Sequence, residues 1–260
     1  MTISKKQLAA SLGAVATSFS VAACGGGDSS NGATRADPAA AGAALPQGSE
    51  RVDLDPTDFS IDIDNPYWPM SPGNRWVYRE TDTRGTVEKV VVEVTAETKT
   101  IANGIEARVV RDTATENGVP VEITDDWFAQ DSRGNIWYLG EYVTNYENGK
   151  VVDHAGSFEA GVDGAQAGIA MPADPKPGMA YRQEYYEGEA EDKGAVITVG
   201  EERVEVPFGY LKGVLMTRDL VQLEPRVEEL KFYVPGVGPV LSVHTDGTGG
   251  RGELVRYEAG

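Results

Sequence analysis

From Trp76 to Tyr257, apolar and polar residues alternate with a period of two, and glycine corners interrupt the alternation at fairly regular intervals. Successive side chains of a strand point to opposite faces, so this period suits strands and does not suit helices. Val90, Val92 and Val94 alternate with Lys89, Val91 and Glu93. Ile105, Ala107 and Val109 alternate with Glu106, Arg108 and Val110, and Leu230, Phe232 and Val234 with Glu229, Lys231 and Tyr233. Each run predicts a strand with one buried face. Arg84-Gly85, Asn103-Gly104, Asn117-Gly118, Gly134-Asn135 and Asn148-Gly149 fall between the runs. Asn-Gly supplies the positive φ that two-residue hairpin loops require, so the expected order is an antiparallel meander. Further strands are expected over 180–187, 195–206, 213–223, 228–234, 240–245 and 253–257, while the pattern lapses over 156–178. The expected fold is all-β, with few or no helices after the leader; residues 207–212 are the one candidate helical turn. About ten to twelve strands exceed what an open twisted sheet holds, so the sheet should curve into a half-barrel or barrel.

The amino terminus reads as an address rather than as structure. Lys5 and Lys6 precede a stretch of small and apolar residues over 8–22, which is too short for a permanent membrane span. It ends in Val21-Ala22-Ala23-Cys24-Gly25, which resembles the lipobox of bacterial lipoproteins, where the cysteine is lipidated and becomes the new amino terminus. Cys24 is the chain's single cysteine, so it is the expected lipidation site and no intramolecular disulfide can form. Residues 25–50 are rich in Gly, Ala, Ser, Asp and Pro without apolar periodicity, as in a flexible tether. The expected organisation is a signal peptide over 1–23, lipidated Cys24 and tether over 24–50, and one β domain over 51–260. The formal charge of −18, two units more negative without Lys5 and Lys6, argues against nucleic acid and anionic lipid surfaces as partners.

Inside the folded region, Asp53, Asp55, Asp58, Asp62 and Asp64 interleave with Leu54, Phe59, Ile61 and Ile63, as in an edge strand or an ordered arm. Prolines 66, 69 and 72 then hold Tyr67 and Trp68 on a stiff segment expected to plug one end of the sheet. The chain's aromatic centre is the hairpin 125–141, which carries two of the 4 Trp within eleven residues, around Gly134 and Asn135. Trp127, Phe128, Trp137, Tyr138, Tyr67 and Trp68 are the candidate ligand-binding residues. Asp125 and Asp126 are adjacent and should face opposite sides of their strand. Asp131 and Asn135 suit a turn-stabilising role. An acidic stretch holding Glu184, Glu187, Glu189, Glu191 and Asp192 sits at another turn. Of these, Glu187, Glu189, Glu191 and Asp192 are the candidate metal ligands, with calcium the candidate ion and otherwise no cofactor. No Gly-x-Ser-x-Gly elbow is present, and the two histidines, His154 and His244, carry no zinc-ligand spacing. No catalytic residue is assigned.

Four blocks together resemble a widespread group of uncharacterised exported bacterial lipoproteins. They are Asn65-Pro66-Tyr67-Trp68-Pro69 with Pro72-Gly73, Trp76 and Tyr78; the segment from Asp126 to Asp131; the segment from Gly134 to Glu141; and Phe232-Tyr233 with Pro235-Gly236-Val237-Gly238. The resemblance spans about residues 65–243 and implies export and a lipid anchor, but no activity. The Pro235-Gly236-Val237-Gly238 strand ending is also similar at the fold level to envelope lipoprotein carriers with a curved sheet around an apolar cavity.

Three functions compete on these residues. The first is a non-enzymatic lipoprotein, exported and anchored in the cell envelope, whose curved sheet binds an apolar or amphipathic ligand or another envelope protein. The second binds or hydrolyses glycans through Asp126 and Glu141 beside the Trp127 and Trp137 platforms, because glycosidases need two carboxyls about 5 to 10 Å apart. The third is a calcium-stabilised structural or adhesive module.

Overall fold

A computed structural model describes residues 44–82, 84–223, 228–245 and 250–260. The expected signal peptide, Cys24 and the first part of the tether lie outside them.

A short 3₁₀ turn (Pro56–Asp58) precedes fifteen strands: β1 (Phe59–Ser60), β2 (Arg75–Thr81), β3 (Val87–Thr100), β4 (Glu106–Glu116), β5 (Val119–Asp131), β6 (Ile136–Glu147), β7 (Lys150–Asp153), β8 (Phe158–Glu159), β9 (Gln166–Met171), β10 (Ala180–Tyr186), β11 (Ala190–Val206), β12 (Gly209–Val221), β13 (Glu228–Val234), β14 (Gly238–His244) and β15 (Arg251–Glu258). Twelve of them close into an antiparallel barrel. The ring runs β2-β3-β4-β5-β6-β9-β10-β11-β12-β13-β14-β15, and β15 returns to pair with β2. Closure removes the sheet edges that would otherwise pair with other chains. The expected meander therefore holds, with one interruption. β7 and β8 pair with the far part of β6, where β9 has left it, and β1 pairs with the end of β5 beyond β4.

The hairpin chemistry follows the sequence. Asn117 and Gly118 both have positive φ between β4 and β5, and so do Asn148 and Gly149 between β6 and β7. Residues 207–212, expected as a helical turn, instead form the tip of the β11–β12 hairpin and the start of β12. Proline 207 fixes φ but cannot stop two flanking strands from pairing across a short loop. Residues 156–178, expected to be irregular, contain β8 and β9. Five successive residues of β9, Ala167-Gly168-Ile169-Ala170-Met171, are buried on both faces, so no apolar–polar alternation marks the strand.

Two further faces differ from the simple period. Ala107 and Val109 are buried, but so are Arg108 and Val110 on the other face of β4. Trp127 pairs with Val109, its ring covered by Lys99, whose Nζ lies 4.5 Å from the ring centroid and is paired with Glu159. In β13 the buried side is Lys231 and Tyr233, while Leu230, Phe232 and Val234 are half-buried. The barrel interior thus takes the polar half of that strand.

The residues preceding β1 clamp the outside of the barrel. Buried Arg182 on β10 donates to the backbone oxygens of Ala167, Gly48 and Glu50, and its own N–H to Pro46 O. Residues 44–50, the last part of the expected tether, are thus held against β10.

Candidate binding site in the barrel lumen

Barrel diameter grows with strand number, so a ring of twelve has a wider interior than the eight-stranded barrels whose side chains just fill them. The inward faces are graded along the axis. At one end they are aromatic and aliphatic: Trp76 and Tyr78 on β2, Val90, Val92 and Val94 on β3, Phe128 on β5, Tyr138 on β6 and Tyr233 on β13, all buried except for their edges. The segment before β2 closes this end. Trp68 is 5% exposed and packs its ring 5.5 Å from Phe128 and 5.9 Å from Tyr233. Tyr67 is only half-buried. The segment is held by Asn65, whose side chain donates to Gly134 O and Pro172 O and accepts from Tyr67 N–H.

Towards the other end the same inward faces carry charge. Glu80 continues the Trp76–Tyr78 face of β2, Glu88 the valine face of β3, and Glu122 and Asp126 the Phe128 face of β5. Lys231 and Glu229 continue the Tyr233 face of β13, facing Asp219 on β12. Lys231 Nζ lies 2.8 Å from Asp219 and 3.3 Å from Glu229. Burial works against its charge, but these two carboxylates outweigh it and push the lysine well above its usual range. Burial, followed by neighbouring carboxylates, pushes Glu88 up to about 7. Asp126 and Asp192 also rise to about 7, again mainly through burial.

Two bulges bring two more glutamates inside. Asp126 pairs with Glu141 across β5 and β6, and Phe128 pairs with Tyr138, so three steps of β6 oppose two of β5. The extra residue turns Glu141 to the same side as Tyr138, although a regular strand would place them on opposite faces. Gly140 carries the distortion at φ 133°, where a Cβ would lie 2.3 Å from Phe158 O. A second irregularity between Arg182 and Glu184 does the same on β10, placing Glu184 opposite Asp192 and on the side of Tyr181. Both sites read Tyr-x-x-Glu, as Tyr138…Glu141 and Tyr181…Glu184.

These two glutamates are the unusual members of the group. Glu141 is 1% exposed and Glu184 2%; among the described residues Glu184 has no hydrogen-bond partner, and Glu141 has the Tyr138 hydroxyl beside it. That hydroxyl donates a hydrogen bond to Asp126 Oδ1 at 2.7 Å. Burial pushes both glutamates well above the usual carboxylate range; next in effect are Glu184 and Asp126 for Glu141, and Asp192 and Asp126 for Glu184. A buried carboxyl short of partners is expensive, so the fold holds them there against a penalty of a few kcal/mol each.

The residues singled out in the sequence separate accordingly. Phe128, Tyr138 and Trp68 border the lumen, with Tyr67 at its closed end. Trp127 and Trp137 point to the outside and are covered there: Trp137 by Phe59, with ring centroids 6.1 Å apart, and Trp127 by the Lys99 region. Asp126 and Glu141 do meet, but the tryptophan platforms expected beside them lie behind the sheet. Asp125 faces outward, paired bidentately with Arg111 at 2.7 and 2.9 Å. Asp131 is the hub of the β5–β6 turn, accepting from the Arg133 and Asn135 backbone N–H groups, the Asn135 side chain and the Trp137 indole. Of the acidic stretch, Glu187 is exposed, Glu189 and Glu191 are half-buried at the β10–β11 tip, and Asp192 is inside the barrel. They do not converge, and among the described residues no three or more His, Cys, Asp or Glu side chains are grouped to hold a metal ion. The inward charges Glu80, Glu88, Glu122, Asp219, Glu229 and Lys231 were not singled out in the sequence. Their signal was present: each stands two, four or six residues from an inward aromatic or valine on the same strand or opposite such a position.

No family model matches the chain, and no curated protein matches its sequence. Two solved structures are similar to it. One is a candidate lipoprotein from Parabacteroides distasonis, 13% identical, aligned over 74% of this chain and 98% of that one with a TM-score of 0.39. The other is a β-barrel-like protein of the domain of unknown function DUF1849 from Brucella abortus, 13% identical over 71% of this chain and 96% of that one, with a TM-score of 0.37.

Proposed function

We propose that the protein is a lipid-anchored component of the bacterial cell envelope that binds a small amphipathic ligand inside its barrel, rather than transforming it. The observation that carries the reading is the graded interior: an aromatic floor closed by Trp68, and above it buried carboxylates, of which Glu184 has no hydrogen-bond partner among the described residues. A core built only for stability would be apolar throughout or fully hydrogen-bonded. Concave sites that combine an apolar wall with a few placed polar groups are the usual form of a small-molecule site. The anchor rests on the lipobox-like segment and Cys24.

Two measurements test the two halves. Cells fed a labelled fatty acid should attach it to the protein, and Cys24→Ser should lose the label and leave the membrane fraction. Native mass spectrometry of the full-length protein, released from mild detergent after incubation with envelope extract, should show a bound small molecule. Widening the floor by Phe128→Ala should abolish that adduct. A protein that carries no adduct under any loading would refute the binding role. Glycan hydrolysis draws on one observation, the cross-strand Asp126–Glu141 pair. Sugar release that is lost in Glu141→Gln would favour it over binding.

A further inference from the structure

Among the described residues Glu184 has no hydrogen-bond donor, and Glu141 has beside it the Tyr138 hydroxyl, which is engaged with Asp126. The two glutamates sit on different strand pairs, Glu141 with Asp126 across β5 and β6, and Glu184 with Asp192 across β10 and β11. The two pairs lie in one ring, with β9 alone between β6 and β10, and the Glu184 charge is felt by both Asp126 and Glu141. Lys231 answers Asp219 and Glu229 by direct contact and acts on Glu184 only through its charge. A single metal ion would need ligands that converge on one point, and the described residues offer no such group. Beside the Asp126–Glu141 pair lie the stacked rings of Phe128 and Tyr138, centroids 5.0 Å apart. Separated carboxyl pairs with aromatic faces nearby suit ammonium groups joined by methylenes, because each ammonium offers three donors and the chain between them is apolar.

We propose that the lumen is a receptor site for a linear di- or polyamine, with one ammonium at Asp126–Glu141 and another at Glu184–Asp192. The proposal deepens the reading of the barrel as a ligand-binding protein and rests on it. A cationic ligand also accounts for carboxylates retained in a buried site at a penalty, since its binding would relieve the repulsion among them.

Calorimetric titration of the full-length protein in nonionic detergent at pH 8 tests this, with spermidine as the probe and calcium and a neutral alkanediol as comparisons. Spermidine should bind at one site and raise the melting temperature, and the alkanediol should do neither. Glu141→Gln and Glu184→Gln should each weaken spermidine by tenfold or more while their melting temperatures stay level or rise. Glu187→Gln, at the exposed hairpin tip, should leave binding unchanged. Absence of spermidine binding, equal loss in Glu187→Gln, or calcium binding as tightly and in competition would each overturn the proposal. If an adduct from envelope extract persists while spermidine fails to bind, the polyamine is wrong and the lumen remains a binding site.

Discussion

Lys231 and Asp131 show two opposite uses of a buried charge. Lys231 is held between Asp219 and Glu229 inside the barrel, and its removal would leave both carboxylates facing the other luminal acids. Lys231→Met should therefore destabilise the protein by about 3–5 kcal/mol in chemical unfolding at pH 7, the usual result of breaking a buried pair from one side. Asp131 collects five donors at the hairpin turn, the Arg133 guanidinium among them. Burial alone would raise its pKa, but the hydrogen bonds from Asn135 and Trp137 outweigh it and hold the carboxyl below its ordinary value. A depressed acid stabilises the fold above its unfolded pKa and loses that contribution as pH falls through the folded one. Asp131→Ala should accordingly cost about 2–4 kcal/mol near neutrality, since several buried donors lose their acceptor, and less in acid below pH 4.

Among the elements, β6 and β10 matter most because each interrupts its own period. Gly140 permits the β6 bulge through its positive φ and through the close approach of Phe158 O, which leaves no room for a Cβ. Gly140→Ala should lower stability by at least about 2 kcal/mol, combining backbone strain with a steric clash. If Glu141 faces inward only because of this bulge, the same substitution should also reduce ligand capture in any fraction that still folds. On β10, Arg182 ties residues 44–50 to the barrel through two backbone oxygens, Gly48 and Glu50, besides Pro46. Arg182→Ala should expose that segment to proteolysis, with cleavage within it visible by mass spectrometry before the barrel itself is cut.

At the scale of the whole molecule, the luminal acids set the pH dependence. Glu88, Asp126 and Asp192 titrate near 7, with burial the leading cause in each. Their folded pKa values lie above the unfolded ones, so the folded state holds more protons between roughly pH 4 and 7. Stability is then greatest below the unfolded pKa and falls as pH rises through the folded values, by about 1.4 kcal/mol per pH unit for each group inside its window. The protein should be more resistant to urea at pH 5 than at pH 8, unlike a fold stabilised mainly by surface ion pairs. Glu184→Gln should flatten this dependence at its alkaline end. An equal or greater resistance at pH 8 would mean that the inward carboxylates are not buried as charges. A bound polycation should reverse the trend by favouring the ionised forms.

The existence of the strands, their order over 76–257 and the hairpin turns were legible in the residues, because a two-residue period and Asn-Gly corners are local properties. So were the opposite facing of Asp125 and Asp126 and the role of Asp131 with Asn135, since both depend only on neighbours along one hairpin. Closure into a ring of twelve was less visible: β9 is buried on both faces and shows no alternation, so the strand that links β6 to β10 left no mark. Which face of β13 points inward was not legible either, because the sequence rule that apolar residues face the core fails where the core is a lumen lined with charge. The inward turn of Glu141 and Glu184 is a decision of tertiary structure alone. A bulge shifts side-chain parity by one residue, and its position depends on which neighbouring backbone, Phe158 in one case, must be accommodated.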